Sequence, residues 1–457
     1  MTTHSTRRSF LKTSLAFAGS TWAAPQILAQ SAKGANDRIR LAWIGLGMQG
    51  QSDLSSCNRG CEVVALCDCD SKNSAKPVNQ HQKRGAKYYQ DFRKMFGEMG
   101  DKIDAVGIST PDHIHFPAAY MALHLGKHVF VQKPLTHSLW EARTLTQLAA
   151  IKGVVTQMGN QGHAYEGARL VKEWYQAGLV GAVKEVIAWS NRPAHKGNGF
   201  VGNVFKEFAA AQPVPEHLDW NLWMGPVAKD IGYSGLLHPR NWRAWWDFGC
   251  GGLGDMGCHT IDSPFWAMDL GLPESVEVKM NDEVNPIYTP YGSVVSFNFP
   301  ARGDKPPVTL KWYEGPTPPE TPKEFEYPVE KEGGLIMVGE KGGISHGARA
   351  DSPKLYPAKR WEDYRANPGG QVPKTLPRVK GGLHADWVNA IKEGRKACSD
   401  FSYAGPLTEI ILLGTLAIRT GKGFKLDGDA TKILGNPEAA ALVRVEARKG
   451  WDIKDLT

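Results

Sequence analysis

The chain has 457 residues, enough for about three units of ordinary domain size and for more than one buried core. Its 50 glycines and 29 prolines fall short of a low-complexity composition, and 42% hydrophobic with 10% aromatic residues mark a globular chain, which excludes disorder and collagen. A net charge of +7 is mild for this length and no long Lys/Arg run is present, which sets nucleic-acid binding aside, and no run reaches the roughly 18–20 apolar residues of a membrane span.

The first 32 residues read as an address. Thr6-Arg7-Arg8-Ser9-Phe10-Leu11-Lys12 gives a basic start, Thr13–Ala24 a modest apolar stretch, and small residues follow around Ala29 and Ala32. This is the layout of a signal peptide, and it resembles the twin-arginine export signal. The alternative is a basic surface helix. The resemblance implies that the twin-arginine machinery carries a folded chain to the periplasm or beyond, with no integral membrane segment in the mature chain. Such a route suits a protein that traps a cytoplasmic cofactor while folding. The seven cysteines are odd in number and form no CxxC. Export permits disulfides, but these positions do not read as a framework; buried free thiols are expected for most of the seven, and no zinc site is supported by the spacings.

Residues 36–160 read as a dinucleotide-binding domain. Arg38–Ile44 is a short, largely apolar strand ending in Gly45-Leu46-Gly47-Met48-Gln49-Gly50, a G-x-G-x-x-G turn before a helix-compatible segment. One glycine serves the tight turn, one the approach of backbone to a pyrophosphate, and one close helix–strand packing; the helix N-terminus faces the phosphate charge. A second strand, Glu62–Cys67, ends at Asp68, 23 residues after Gly45, where a carboxylate accepts from ribose hydroxyls and repels a 2′-phosphate. NAD is therefore favoured over NADP. Strands then alternate with helices: Asp104–Ser109, helix Phe116–Leu125, His128–Val131, helix Leu139–Ile151 and Val154–Met158. A parallel sheet covered on both faces follows, with ligands at the C-terminal strand ends. Gly45–Gly50, Thr110-Pro111-Asp112-His113, Gln132-Lys133-Pro134 and Gly159-Asn160-Gln161-Gly162-His163 all fall at such ends.

Two places carry candidate chemistry. Lys133 follows a strand and precedes Pro134, which biases it away from helix and lets the ammonium project from the sheet edge toward a substrate hydroxyl. A solvated surface lysine is the alternative. Asp255, His259 and Asp262 stand at i, i+4 and i+7, one face of a helix, where a carboxylate and an imidazole suit a base and a group that binds or orients. Asp262 is expected to orient the His259 ring. A core histidine and a metal pair are the alternatives.

On Gly45–Gly50, Asp68, Thr110–His115, Lys133-Pro134, Gly159-Asn160-Gln161, Gly254–Asp262 and His384–Arg395, the chain resembles the Gfo/Idh/MocA oxidoreductases, in their exported bacterial branch. The resemblance covers essentially the whole mature chain. It implies an α/β Rossmann domain followed by an α+β domain with a mostly antiparallel open sheet. It implies that Lys133, Asp255 and His259 are catalytic or substrate-binding, and that a tightly held NAD is contacted by Gly45, Gly47, Met48, Gly50, Asp68, Thr110, Pro111, His113, His115, Gln132, Lys133 and Asn160. The family's usual Glu-Lys-Pro is Gln132-Lys133-Pro134 here. Losing that carboxylate either lowers the Lys133 pKa and favours a base, or marks altered chemistry.

Residues 161–383 read as the substrate and oligomerisation domain, and residues 384–457 as a C-terminal helical segment packing back on the body. Strands are expected at Ala182–Ser190, Ser275–Met280, Ser293–Phe299, Val308–Tyr313 and Leu335–Val338, with irregular loops at Gly315–Pro322 and Pro353–Pro377. Six of fifteen tryptophans lie between residues 220 and 266. Most are expected in cores, while flat aromatic faces also suit sugar rings. His163, Tyr165, Trp242, Arg243, Asp255 and His259 are the candidate substrate contacts, with His238 beside them. The expected activity is hydride transfer from a sugar, polyol or sugar derivative to nicotinamide. Redox-neutral chemistry with bound NAD (glycosidase, lyase or epimerase) and non-catalytic sugar binding are the alternatives. By resemblance a homo-oligomer is expected.

Overall fold

Short β-rich runs ending in glycine or polar residues build the first sheet. The computed structural model describes residues 38–192, 211–239, 241–281 and 283–457, so the expected export signal lies outside the described residues. Strands Ile39–Ile44 (β1), Cys61–Cys67 (β2), Lys87–Tyr89 (β3), Ala105–Ile108 (β4), His128–Val131 (β5) and Thr156–Met158 (β6) pair in the order β3-β2-β1-β4-β5-β6, every pair parallel. Helices Met48–Cys57 (α1), Ala75–Gln82 (α2), Phe92–Met99 (α3), Asp112–His124 (α4) and Leu139–Lys152 (α5) make the crossovers. The strand order reverses between β1 and β4, which opens a crevice at their C-terminal ends. Ser138 and Glu141 cap α5 reciprocally, and burial pushes the Glu141 carboxyl up to about 7.

Helix Glu166–Gln176 (α6) leads into the second sheet. Strands Val183–Ser190 (β7), Ser275–Met280 (β8), Ser293–Phe299 (β9), Val308–Glu314 (β10), Gly333–Gly339 (β11), Gly342–Gly347 (β12), Lys354–Tyr356 (β13), Phe424–Leu426 (β14) and Ile433–Leu434 (β15) run in the order β13-β12-β11-β7-β10-β9-β8-β14-β15. The β10–β7 pair is parallel and the other pairings are antiparallel. Period-two burial on β9 shows one face turned to the core. Helices Gly251–Thr260 (α7) and Asp262–Met268 (α8) lie between β7 and β8 in sequence. The expected loop at Pro353–Pro377 is corrected: it contains β13 and helix Ala358–Ala366 (α9), which Pro357 admits at its start because a helix's first N–H groups need no partner within the helix.

Helix Gly382–Glu393 (α10) returns to the Rossmann domain, where Leu383, Trp387 and Val388 join Ile39, Leu41, Trp43 and Phe130 in one core. Helix Phe401–Thr420 (α11) packs on α5 and on α7. By length and composition it is apolar enough to cross a bilayer, although polar residues such as Thr408, Glu409 and Arg419 interrupt it, and 83% of that window is buried in the protein. The C-terminal segment is not solely helical, since it adds β14 and β15 to the second sheet.

Candidate active site

A cleft of about 990 Å³ lies at the C-terminal ends of β1, β2, β4 and β5 and is closed by segments of the second domain. One wall is the glycine turn. Gly45 has φ +84°, and a Cβ there would lie 2.6 Å from Ser109 carbonyl atoms; a Cβ at Gly50 would lie 2.0 Å from the Gly45 carbonyl oxygen. Gly47 has open space on its Cβ side. This is the division of labour that a dinucleotide turn requires, and α1 starts at Met48 with its first N–H groups beside the cleft. Gly45, Gly47, Met48, Thr110, Pro111 and Gln132 line the cleft, and the buried Thr110 hydroxyl has no partner among the described residues. Gly50 serves packing and does not line it.

Asp68 follows β2 in the cleft and accepts from the Leu46 N–H at 2.7 Å and the Asp70 N–H at 2.9 Å. Burial pushes its carboxyl up to about 6 against the pull of these bonds. These residues fit an adenosine dinucleotide: the glycine turn for the pyrophosphate, Asp68 for the ribose.

The adenosine end has a roof that sequence reasoning missed. Buried Asp70 accepts from His238 Nε2 at 2.7 Å, His217 Nδ1 at 2.9 Å and Asn73 Nδ2 at 2.8 Å. Burial opposes the charge, but His238 and Asn73 hold Asp70 down at about 2. The 211–239 segment is thereby clasped over β2. Trp451, from the C-terminal tail, also lines the cleft; Arg93 lies 4.2 Å over its ring and donates to the Gly450 carbonyl at 3.1 Å. Nothing in a lone tryptophan near the chain end signals this placement.

At the other end Lys133 Nζ donates to Asp255 Oδ1 at 2.5 Å and to the Asp255 carbonyl at 2.9 Å. Arg243 Nε stands 3.3 Å from Asp255 Oδ1, and Arg192 Nη1 3.3 Å from Oδ2. Burial alone would raise the Asp255 pKa; Lys133 and Arg243 instead hold the carboxyl well below its usual range. His259 lines the same cleft, its Nδ1 without a partner among the described residues, and burial with the nearby Lys133 and Arg349 charges drives its pKa far down. Its imidazole is therefore neutral at neutral pH. Asp112, also in the cleft, is pushed up to about 7 by burial against the pull of Arg243 and Lys133.

Several expected contacts lie elsewhere. His113 is buried between the Trp223 and Phe248 carbonyls, at 2.8 and 3.3 Å, and His115 between those of Pro134 and Thr110, at 2.8 and 3.0 Å. Both are spent on backbone and neither lines the cleft. Asn160 and His163 are buried behind the wall: Asp262 accepts from His163 Nδ1 at 3.0 Å, Asn160 Nδ2 at 3.2 Å and the Tyr403 hydroxyl at 2.5 Å. Asp262 consequently does not orient His259. The physical reason is the helix break at Ile261, which places Asp262 at the start of α8 and off the Asp255–His259 face. Tyr165, Trp242, Arg243 and His238 do line the cleft, whereas Trp245 and Trp246 are core residues. All seven cysteines are free thiols, five of them buried.

Gln132 has a partner that explains it. Asp53, fully buried on α1, accepts from Gln132 Nε2 at 2.8 Å, Gln49 Nε2 at 2.8 Å, Ser109 Oγ at 2.9 Å and His384 Nε2 at 2.9 Å. The carboxylate that the related motif carries at this position stands here on α1 as Asp53, and the Gln132 amide donates to it.

Residues 39–160 match the family model for the NAD-binding Rossmann fold of the GFO_IDH_MocA oxidoreductases, and residues 171–293 match that for their C-terminal alpha/beta domain. Among curated relatives, a "Glycosyl hydrolase family 109 protein 2" of Shewanella sp. (strain ANA-3) is 27% identical over 168 residues, 32% of this chain and 37% of the relative. An "Inositol 2-dehydrogenase/D-chiro-inositol 3-dehydrogenase" of Lacticaseibacillus casei is 26% identical over 190 residues, 41% of this chain and 53% of the relative. The chain thus spans about a third to a half of these relatives' lengths. The solved WlbA dehydrogenase of Bordetella pertussis, in complex with NADH and UDP-GlcNAcA, superposes with a TM-score of 0.58 at 16% identity, covering 85% of this chain and 98% of that one. At that identity the likeness establishes the fold.

Proposed function

The chain belongs to the Gfo/Idh/MocA oxidoreductase family, and from that premise we propose that it is an NAD-dependent oxidoreductase acting on a sugar, polyol or sugar derivative. The observation that carries this reading is the sharing of one cleft. The Gly45 turn and Asp68 stand at one end, and Lys133, Asp255 and His259 at the other. When bound, NAD supplies the hydride acceptor. The glycine turn would hold its pyrophosphate and Asp68 its ribose. Lys133, fixed by Asp255, donates to a substrate oxygen, and neutral His259 takes the hydroxyl proton. Asp255 spends its oxygens on Lys133, Arg192 and Arg243, so it positions donors more than it holds a hydroxyl. The Asp70 clasp and Trp451 support slow release of the dinucleotide.

A second reading is redox-neutral: the hydroxyl is oxidised transiently, the adjacent C–H is acidified, and the hydride returns after elimination, epimerisation or glycoside cleavage. The likeness to a glycosyl hydrolase family 109 protein and the roofed cleft favour it. The Thr6–Lys12 pattern supports twin-arginine export to the periplasm, where free NAD is scarce and a retained cofactor is an advantage. The open sheet supports a homo-oligomer.

One experiment separates the readings. Protein purified without added cofactor is denatured and any released dinucleotide identified by mass, while native samples are watched for reduced-nicotinamide absorbance as sugars are added. Bound NAD that becomes and stays reduced supports the dehydrogenase. Product without lasting reduction supports transient oxidation. No bound dinucleotide and none taken up on titration refutes the cofactor reading and leaves sugar binding alone.

A further inference from the structure

We propose, resting on the reading of this cleft as a sugar site, that the substrate carries an oxyanion, a ring carboxylate or phosphate, and that Arg349 is the residue that selects it. The substrate end is rich in cations. Lys133, Arg192, Arg243 and Arg349 line it, against Asp255 and Asp112. Three of the four cations converge on Asp255. Arg349 is the one left over: its guanidinium makes no ion pair with any described residue, and its backbone N–H donates to Asp351 Oδ1 at 2.9 Å.

The position of Arg349 is built. The turn after β12 is closed by Gly347 N–H to the Asp351 carbonyl at 3.0 Å, and Thr260 Oγ1 of α7 donates to the Ala348 carbonyl at 3.0 Å. Ala350 is fully buried with φ +56°, a conformation that alanine avoids. Gly162 packs so closely that a Cβ would lie 2.7 Å from the Arg349 carbonyl oxygen. A surface arginine needs none of this. The same anchors fix which end of the cleft it serves. They lie after β6 and on α7, the wall that carries His259, across the fold from the β2 end where Asp68 stands. Cofactor phosphate charge is met at the glycine turn on α1, so Arg349 has no phosphate of the dinucleotide to pair with.

A guanidinium presents a planar fork of donors that matches carboxylate and phosphate oxygens. An anion bound there would also offset the positive charge that depresses His259, raising its proton affinity as substrate arrives. Neutral sugars give neither effect.

The test measures equilibrium binding to the NAD-loaded protein by tryptophan fluorescence. Matched sets share one ring: glucose, glucuronate and glucose 6-phosphate, with the galactose and mannose sets alongside. Hydrogen bonds to a charged group predict that an anionic member binds about ten- to a hundredfold tighter than its neutral partner. Comparing uronate with 6-phosphate tells carboxylate from phosphate. Arg349→Ala abolishes the preference, Arg349→Lys keeps part of it, and dinucleotide content by mass stays at the parent level in both. The proposal is overturned if no anionic member binds, if neutral members bind as well, or if Arg349→Ala retains the preference. An anion preference without reduction or product would sink the oxidoreductase reading and spare this one. Turnover of neutral sugars with no anion preference would do the reverse.

Discussion

Replacing Gln132 by Glu, the residue usual in the related motif, tests the buried Asp53 hub. The Gln132 amide now donates to Asp53 Oδ2 at 2.8 Å, with both side chains buried. The Gln132→Glu change would set two carboxylates at that distance. At an effective dielectric near 20, charges about 3 Å apart repel by about 5 kcal/mol. Taking up a proton is cheaper, because holding a carboxyl of ordinary pKa about 4.3 protonated at pH 7 costs about 4 kcal/mol. The variant should therefore lose about 3–4 kcal/mol at pH 7. Its folded state binds a proton that its unfolded state releases, so the loss grows with rising pH, by about 1.4 kcal/mol per unit above about pH 4.5, and nearly vanishes below. The assay is urea denaturation at pH 5, 6 and 7, followed by tryptophan fluorescence, with Trp43 and Trp387 in the adjoining core. Asp53→Asn combined with Gln132→Glu restores one carboxylate and one amide and should recover most of the loss. A single variant within about 0.5 kcal/mol of the parent at every pH, or a double variant no better than the single, would refute the hub.

Three further outcomes are expected. Asp255→Asn leaves Lys133, Arg192 and Arg243 without the charge that gathers them; turnover should fall about a hundredfold or more while dinucleotide content by mass is unchanged. Burial pushes the Asp68 carboxyl up to about 6, and the proposed ribose contact needs it as the carboxylate, so calorimetric NAD affinity should hold above pH 7 and weaken toward tenfold per unit as pH falls below 6, a dependence absent in Asp68→Asn. Trp451→Ala removes a wall of the adenosine end, and bound dinucleotide should leave about tenfold faster in timed gel filtration; an unchanged rate would deny the tail its retaining role.

The glycine turn, Asp68, Lys133, Asp255 and His259 were legible because each depends on local backbone: a turn conformation, a strand end, a residue before proline, one helix face. His113, His115, Asn160 and His163 share that neighbourhood in sequence, yet they turn away from the cleft. Their direction is set by carbonyls at Trp223, Phe248 and Pro134 and by Asp262, none of which a linear spacing specifies. Arg349 and Trp451 were invisible for the complementary reason: each reaches the cleft only through the second sheet or the tail folding over it. Helix α3 was not read, although Phe92, Met95, Phe96 and Met99 are buried at helical spacing, because its eight residues hold little more than two turns of pattern. Strands β3, β14 and β15 are too short for alternation to declare itself.

Chemistry in this cleft depends on how the two sheets are set against each other, and α11 is the part that sets them. Arg143 of α5 pairs with Glu409 of α11 at 2.7 Å and also donates to the Ala430 carbonyl at 2.9 Å, beside the last strands of the second sheet. On its other side α11 meets α7 so closely that a Cβ at Gly257 would lie 2.7 Å from Ile411. Gly257 stands two residues from both Asp255 and His259. The helix that carries Asp255 and His259 is thus fixed through α11 to α5, the crossover after the Lys133 strand. The 2.5 Å Lys133–Asp255 contact bridges a Rossmann strand end and a helix of the second domain. A pair held at that separation across two domains needs a rigid connection behind it, and the apolar length of α11 supplies one by packing into the body.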